Sequence, residues 1–467
     1  MTQPAVLTRS QVALMVAALV LSVVSFQLNA TMLGPAFYDI EHELGKGAFA
    51  AMSTYFYLAA AVGNVVLIRW SDYIGRKRVL LGILVMLCLG TLLCIFGTSL
   101  TVVVIGRILQ GACNVTFGLS FLIMRERLSG ATFGVCCGVV TSINGGVAGV
   151  DALLGGFLAD RFGYRSIFLL ILVIGLAGIA FGWKAIPSDE RDRVAAGRMD
   201  WVGAALIGLT VAGLILFFSS GGDAGWSSPV ALGCIGTSIV ALLALVAVEQ
   251  RVASPLVDIA QMRSRMAWPL IVATMLNMAS FMVVLGFIVL KLAEDPDSGF
   301  GLSGTMTALL FLTPAAVVQL ITAPLVGRLA VRIGFVPVFR AGILGSIVVT
   351  SLLAVFAQHR GMLMLLMAAF GCVFMGVTMT AMSVLGVVQA PEAAPGSLPG
   401  ISNAAFGVGS SIGFAWAGPV VGSGTVDSFN TALWICAAIG VAALGVSLLL
   451  RPRRLEVGSV GSVAVRH

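Results

Sequence analysis

The chain has 467 residues, of which 59% are hydrophobic and only 10% are charged. This balance lies far outside the soluble norm and excludes an ordinary soluble globular protein. The net charge of +7 collects in short loops, where anionic lipid headgroups attract it, so it does not indicate a nucleic-acid partner.

Fourteen apolar stretches are each long enough to cross a bilayer, because a helix needs roughly 20 apolar residues to span a hydrocarbon layer of about 30 Å. In chain order the predicted spans are 11–33, 48–70, 78–97, 100–124, 133–158, 165–184, 200–218, 229–248, 268–290, 305–326, 335–356, 361–388, 398–422 and 430–450. The number is even, so both chain ends lie on the same side of the membrane.

The positive charges fix which side that is. Segments on the side of the N-terminus carry 21 of the 27 Lys and Arg residues, the opposite loops carry 5, and Arg107 lies within the fourth span. Cytoplasmic loops are enriched in Lys and Arg. Both termini are therefore predicted to be cytoplasmic.

Two charged interruptions, at 188–200 and 249–266, divide the spans into groups of six, two and six. The loop RWSDYIGRKRV (69–79) and the corresponding loop of the last group, GRLAVRIGFVPV (327–338), both place an arginine before an Ile-Gly turn. This repetition favours two related halves. The predicted fold is an all-α membrane protein with an N-terminal six-helix bundle (1–187), two extra transmembrane helices with their linkers (188–266), a C-terminal six-helix bundle (267–452) and a cytoplasmic tail (453–467).

Several motifs resemble those of a known family. The fourth span carries RILQG (107–111), similar to R-x-x-Q-G, and the fifth ends in GGFLADRFGYRSIF (155–168), similar to GG-x-L-x-D-x-x-G-W-R-x-x-F. The phrases MDWVGAALIG (199–208) and GGDAGWSSP (221–229) flank the seventh span. The chain resembles the major facilitator superfamily, and within it the fourteen-span drug:proton antiporter branch.

The resemblance extends to the loop after the second span and implies a cytoplasmic latch that joins the two halves when the outside is open. The latch residues are Asp72, Gly75, Arg76 and Lys77. A carboxylate can satisfy a helix end or an arginine in one packing and lose that contact in the other. Arg69 and Tyr73 depart from the family's pattern, and a plain basic turn is the alternative reading.

Arg107 and Asp151 are predicted to lie about 10 Å below the outer surface, because each is seven residues from the outer end of its span at about 1.5 Å per residue. Charges at this depth cost at least about 2.5–3.5 kcal/mol each and are functional candidates. Opposite charges at equal depth on consecutive helices suggest a pair. The hypothesis is proton coupling or gating by Asp151 and Arg107, and the alternative is a structural ion pair.

The fifth span also carries small residues that resemble the family's antiporter motif. They are Gly145, Gly149, Gly155 and Gly156. Asp151-Ala152 stands where the motif has Gly-Pro. Small residues also allow close helix packing, which is the simpler role for any one of them.

Polar residues within the spans are candidates for lining a substrate cavity, although each is equally suited to bonding helices together. These candidates are Gln27, Asn29, Thr31, Gln110, Asn114, Asn144, Asn277, Gln319 and Asn403. Asn29 stands where relatives carry an acid, and an amide cannot titrate. Asp151 is then the obvious proton carrier.

The sequence thus predicts a secondary transporter of the inner or plasma membrane, and not an enzyme. It would exchange amphipathic small molecules for protons by alternating access, as a monomer in the lipid bilayer. No phosphate-binding loop for ATP is present, and neither a metal nor a cofactor is expected. The alternatives are a proton symporter or uncoupled facilitator of a metabolite, a lipid exporter, and a non-transporting sensor or scaffold.

Overall fold

The computed structural model describes residues 8–128, 130–187, 199–252, 262, 264–297, 299–389, 397–422 and 424–451. Within these ranges it contains helices and no strands. Thirteen helices are long and apolar enough to cross a membrane, and a further helix of 33 residues lies between the fourth and the fifth of them. The predicted all-α fold with fourteen spans is confirmed.

The helices of the N-terminal bundle are α1 (Arg9–Thr31), α2 (Ala48–Ile74), α3 (Arg76–Phe96), α4 (Leu100–Arg127), α5 (Gly130–Phe162) and α6 (Arg165–Ala185). The extra pair is α7 (Trp201–Ala224) and α8 (Pro229–Glu249). The C-terminal bundle contains α9 (Trp268–Glu294), α10 (Gly304–Ala330), α11 (Phe335–Phe356), α12 (Arg360–Gly386), α13 (Ser397–Gly422) and α14 (Val426–Leu448). A short outer helix, Phe37–Leu44, lies between α1 and α2.

The repeated loop of the two halves has the same backbone in both. Gly75 joins α2 to α3 with φ 101° and ψ 139°, and Gly334 joins α10 to α11 with φ 95° and ψ 146°. A residue with a side chain rarely adopts a positive φ, so each turn requires glycine. The Ile-Gly repeat is therefore explained by turn geometry.

The extra pair packs on the surface of the molecule. Its two helices lie against each other, and α7 also contacts α2 and α13, one helix from each bundle. Several large apolar side chains of α8 are exposed, among them Val230, Leu243 and Val240 at 62%, 64% and 67%. Exposed apolar side chains on a membrane-spanning helix face lipid.

Three helices of the C-terminal bundle contain π-helical turns. These turns are Met278–Met282 and Val284–Ile288 in α9, Ala308–Leu312 in α10 and Gly371–Met379 in α12. Each wide turn shifts the register of the side chains that follow it, and such turns are frequent at functional sites. The outer part of α9, which carries Glu294, follows two of them.

The two bundles meet on the outer side of the membrane through aromatic packing and helix contacts. Phe37 and Phe49 from the N-terminal half pack against Phe287 and Phe414 from the C-terminal half. The Ser411 hydroxyl donates to the carbonyl oxygen of Thr54 at 2.9 Å and joins α13 to α2. The structure therefore shows a state that is closed towards the outside.

Candidate functional site

A buried arginine lies at the centre of the polar network in the N-terminal bundle. Arg107 is 3% exposed. Its Nη1 atom donates to Asn29 Oδ1 at 2.7 Å and to Gln110 Oε1 at 2.8 Å, and its Nη2 atom donates to the Asn29 carbonyl oxygen at 3.2 Å. The guanidinium also lies 4.1 Å from the centre of the Phe56 ring. Neutral acceptors and one aromatic face therefore hold this charge.

Gln110 is fully engaged in orienting Arg107. Its Oε1 atom accepts from the arginine, and its Nε2 atom donates to Thr91 Oγ1 at 2.9 Å. Both Gln110 and Thr91 are fully buried. Gln110 therefore connects Arg107 to Thr91 of α3 by two hydrogen bonds and holds the arginine in place.

Asp151 makes a separate contact with the outer end of α1. It is 3% exposed, and its Oδ2 atom forms a short hydrogen bond with the Thr31 hydroxyl. The same hydroxyl lies 2.9 Å from the Gln27 carbonyl oxygen and accepts from Gln27 Nε2 at 3.1 Å. One hydroxyl hydrogen cannot serve two acceptors well. The Thr31 hydroxyl therefore has two acceptors within reach, Asp151 Oδ2 and the Gln27 carbonyl oxygen.

The predicted pair of Arg107 and Asp151 is not formed in this state. No ion pair within 4.0 Å joins them in the described part of the chain, and their hydrogen bonds go to Asn29 and Thr31 instead. The prediction was wrong on this point because α1 supplies a partner for each charge. Equal depth on consecutive helices does not determine which way each side chain turns.

Three buried polar atoms of this region have no hydrogen-bond partner. They are two donors, Asn29 Nδ2 and Arg107 Nε, and one acceptor, Asp151 Oδ1. Buried polar atoms are rarely left unpaired, because each costs about 1–3 kcal/mol. Two donors and one acceptor are therefore left unpaired along this stretch of α1 and the helices packed on it.

The outer ends of α5 and α10 are tied together. Asp160 accepts hydrogen bonds from the backbone N–H groups of Gly304 and Thr305 at 3.0 and 2.9 Å. A Cβ added at Gly156 would lie 2.6 Å from the Gly304 backbone, so the two helices touch at glycine. Gly155 instead packs inside its own bundle, where a Cβ would lie 2.2 Å from the Met32 carbonyl oxygen. Gly156 thus belongs to the closed outer contact and Gly155 to the bundle core.

Sequence reasoning missed Glu294. The predicted ninth span ends at residue 290, whereas α9 continues to Glu294, which is 3% exposed. Its Oε2 atom accepts from the backbone N–H of Tyr38 at 2.9 Å, and its Oε1 atom has no partner. In the sequence, the charged run from Lys291 to Asp297 indicates the end of the span. The signal for a longer helix is an acid that continues the apolar helical face.

Asp39 and Asp160 line the same small cavity as Glu294, together with Pro35, Leu302 and Ser303. The cavity measures about 70 Å³. Burial, followed by the charge of Asp160, raises the pKa of Asp39 above its ordinary value. Acidic side chains of both halves therefore gather where the outer contact is made.

The cytoplasmic latch residues form a network within the N-terminal bundle. Asp72 pairs with Arg69 at 3.2 Å and with Arg76 at 3.3 Å, and Arg76 also pairs with Glu126 of α4. Lys77 Nζ donates to the carbonyl oxygens of Trp183 and Ile186 at 2.8 and 2.5 Å. The latch residues thus brace the inner ends of α2, α3, α4 and α6. Their role between the halves remains a prediction.

The other predicted cavity residues are dispersed. Asn114 accepts from Asn64 Nδ2 at 2.9 Å, and Asn277 donates to Ala273 of its own helix at 2.7 Å. Gln319 is half-buried and Asn403 is exposed. The side chain of Asn144 and the surroundings of Gly145 and Gly149 lie outside the described part of the molecule.

Comparison with known proteins identifies the family to which this architecture belongs. The sequence profile of the Major Facilitator Superfamily matches residues 19–270 and 270–464. The chain is 35% identical to the uridine/deoxyuridine transporter of Lactococcus lactis over 417 residues, which cover 87% of this chain and 86% of that protein. It is 26% identical to the multidrug resistance protein Stp of Mycobacterium tuberculosis over 400 residues, covering 84% of this chain and 73% of that protein.

The fold is likewise similar to that of a solved transporter. The partially occluded, inward-open xylose transporter XylE of Escherichia coli superposes with a TM-score of 0.63 at 14% identity. The match covers 95% of this chain and 99% of that protein. At this identity the likeness concerns the fold alone.

Proposed function

Because this chain belongs to the major facilitator superfamily and is a multi-pass secondary transporter of the cell membrane rather than an enzyme, we propose that it carries a neutral, nucleoside-like metabolite in a proton-coupled cycle. The observation that carries this proposal is the set of unpartnered atoms around α1. Asn29 and Arg107 each leave a buried donor, and Asp151 leaves a buried acceptor.

The kinds of group in this set match those that a uracil base requires. The ring edge of uracil presents one N–H donor and two carbonyl acceptors, so a site for it needs one acceptor and two donors. A site that leaves such groups unpaired discriminates strongly against a ligand that lacks them. The uridine/deoxyuridine transporter of Lactococcus lactis, at 35% identity along most of both chains, supports the same substrate class.

Asp151 is the proposed proton carrier of this cycle. The Thr31 hydroxyl donates to Asp151 Oδ2, and Asp151 Oδ1 has no partner, so the carboxyl has an oxygen free to take up a proton. Loss of the proton would leave a charged carboxylate 3% exposed without a cation in hydrogen-bond contact. Proton release is therefore expected to change the packing of α1 against α5.

A second candidate function is the proton-driven efflux of amphipathic drugs. It is supported by the similarity to the multidrug resistance protein Stp and by an adaptable apolar wall. Phe26 stacks on Phe56, Tyr57 stacks on Phe414, and Met278 is buried nearby in α9, which packs on α13. Methionine and aromatic side chains adapt to varied apolar ligands.

The experiment that separates the two functions uses purified protein in liposomes that contain a pH-sensitive dye. Radiolabelled uridine and a panel of lipophilic cationic dyes are tested for counterflow and for substrate-dependent proton movement. Uridine counterflow that unlabelled nucleosides abolish is the expected result. Dye transport without any nucleoside counterflow would overturn the nucleoside proposal and favour drug efflux.

The matched variants are Asn29→Ala and Asn277→Ala. Both asparagines are fully buried and each leaves one side-chain atom without a partner, but only Asn29 contacts Arg107. We expect uridine counterflow to fall at least about fivefold in Asn29→Ala, since one missing hydrogen bond to a buried group costs about 1–3 kcal/mol. An equal loss in Asn277→Ala would mean that the effect is not specific to the site beside Arg107.

A further inference from the structure

Glu294 lies at the contact between the two halves on the outer side of the membrane. It ends α9, in the C-terminal half, and accepts its hydrogen bond from Tyr38, in the outer helix of the N-terminal half. Its other carboxyl oxygen is buried without a partner and the side chain lines the cavity beside Asp160. The carboxyl is therefore part of the closed outer contact and yet incompletely satisfied by it.

The charges around Glu294 do not balance a carboxylate. The negative charges of Asp39, in the outer helix, and Asp160, in α5, both repel a charged Glu294 carboxylate. Lys291, one turn earlier on α9, donates instead to the Val421 carbonyl oxygen at 3.0 Å, and its charge interacts with Glu41 and Asp295. Asp39 also interacts electrostatically with His42 and Glu43, which lie on the same outer helix.

Asp160 differs from Glu294 in its partners. Both of its oxygens accept backbone N–H groups at the N-terminus of α10, and it is exposed. A helix N-terminus stabilises a carboxylate, so Asp160 suits the ionised form. Glu294 has one backbone N–H donor and the Thr307 hydroxyl beside it, but no contacting cation and almost no access to water. A charge in such a place is costly.

We infer that Glu294 is the proton-binding site of the outer gate: the gate closes on the protonated carboxyl and opens when the carboxyl ionises. On closing, the carboxylate takes a proton from the outer solution and becomes buried beneath Tyr38. On opening, the Tyr38 contact breaks, water reaches the carboxyl, and the proton returns to the outer solution. Acid outside therefore favours the closed gate.

A metal ion is not the ligand that fits this cluster. In the described ranges no three His, Cys, Asp or Glu side chains come close enough together to hold one. The inference goes beyond the proposed function and is independent of the transported substrate. A failed uridine assay would leave it standing, because its test needs no substrate.

The test is a distance measurement across the gate. Spin labels are placed at Phe162→Cys on α5 and Met306→Cys on α10, in a protein whose eight native cysteines are replaced. Both positions are exposed, at 71% and 47%, and flank the contact of Asp160 with Thr305. A control pair, Phe96→Cys with Phe162→Cys, lies within the N-terminal bundle. The protein is studied in nanodiscs between about pH 5 and pH 9, a range that lies above the ordinary pKa of a glutamate side chain.

In the wild-type background we expect a short distance at acid pH and a growing fraction of longer distances as the pH rises, with no change in the control pair. In Glu294→Gln we expect the label distance to stay short at every pH, because glutamine cannot ionise. Glu294→Asp retains a response with a displaced midpoint. These results are expected in sodium-free buffer.

Three results would each overturn the inference. The first is a label distance in the wild-type background that does not change with pH. The second is a pH response of Glu294→Gln equal to that of the wild type. The third is a response that occurs only when sodium is present. The second result would assign the sensor to Asp39, His42 or Asp160. Should Glu294→Gln not fold, an unchanged midpoint in Glu294→Asp overturns the inference equally.

Discussion

Asp160 accepts the backbone N–H of Thr305 at 2.9 Å and so caps a helix of the opposite half of the molecule. Such caps usually come from the residue that precedes the helix, and at α10 the preceding residue, Ser303, already bonds the N–H of Met306. Asp160 adds a second cap from α5, so this cap requires α5 and α10 to be in contact. We therefore expect opening of the gate to remove a cap from the α10 N-terminus.

We predict that Asp160→Ala opens the outer gate. Loss of an N-terminal cap costs about 0.5–2 kcal/mol, which corresponds to a shift of roughly two- to thirtyfold towards the open form at about 1.4 kcal/mol per factor of ten. The label pair at positions 162 and 306 measures the shift. Asp427→Ala is the control, since Asp427 lies in the first turn of its own helix α14. Equal populations in wild type and Asp160→Ala would contradict a gating role.

Asp151→Asn is predicted to uncouple transport from the proton gradient. Asparagine keeps a hydrogen-bonding contact with Thr31 but cannot titrate. We expect gradient-driven accumulation to be lost while substrate counterflow at equal pH persists. Thr31→Ser, which keeps the hydroxyl, is expected to behave like the wild type. Full accumulation in Asp151→Asn would transfer the coupling role to another acid, with Glu294 the first to examine.

Asn29→Leu is predicted to destabilise the protein because it removes an acceptor from a buried charge. Arg107 would lose its bond to Asn29 Oδ1, and a hydrogen bond to a charged group contributes about 1.5–3 kcal/mol. Asn277→Leu removes only a bond within its own helix. Thermal unfolding in detergent should show the larger loss for Asn29→Leu. Equal losses would mean that Arg107 finds another acceptor.

The fold could be predicted from the sequence, whereas the partners of its charges could not. Long apolar runs and loop arginines determine the spans and their orientation with little help from tertiary structure. The depth of Arg107 and Asp151 follows from counting residues along a helix. Their partners depend on how α1 is rotated between α4 and α5, and neither hydropathy nor spacing reports that rotation.

Glu294 illustrates the same limit at a helix end. Four charged residues, Lys291, Glu294, Asp295 and Asp297, follow the apolar run of α9, and in sequence they indicate a loop. The structure instead buries Lys291 and Glu294 against the outer helix Phe37–Leu44 and the start of α10. Only the packing of those distant segments makes the helix longer than its apolar stretch.

Arg76→Gln at the cytoplasmic loop is predicted to slow transport with little effect on stability. Arg76 pairs with Asp72 and Glu126 through side chains that are partly exposed, and such pairs contribute about 0–1 kcal/mol. The exposed Arg328 of the equivalent loop in the second half provides the control, Arg328→Gln. Transport rate and unfolding temperature are measured on both variants. A large drop in unfolding temperature for Arg76→Gln would indicate a structural brace.

Gly156→Ala is predicted to prevent closure of the outer gate. The added methyl group would lie 2.6 Å from the Gly304 backbone, and backbone atoms cannot move aside as a flexible side chain can, so α5 and α10 must separate. We expect long distances between labels at 162 and 306 at every pH, and loss of transport.

Two other glycines separate this gating effect from a general loss of packing. Gly155→Ala meets the Met32 carbonyl oxygen inside the N-terminal bundle, so it should lower the unfolding temperature without holding the gate open. Gly361→Ala, with no atom within 4 Å of the new methyl group, should resemble the wild type. If Gly156→Ala transports normally, the glycine contact of α5 with α10 is not needed in the working cycle, and closure would depend on Asp160 and Glu294 alone.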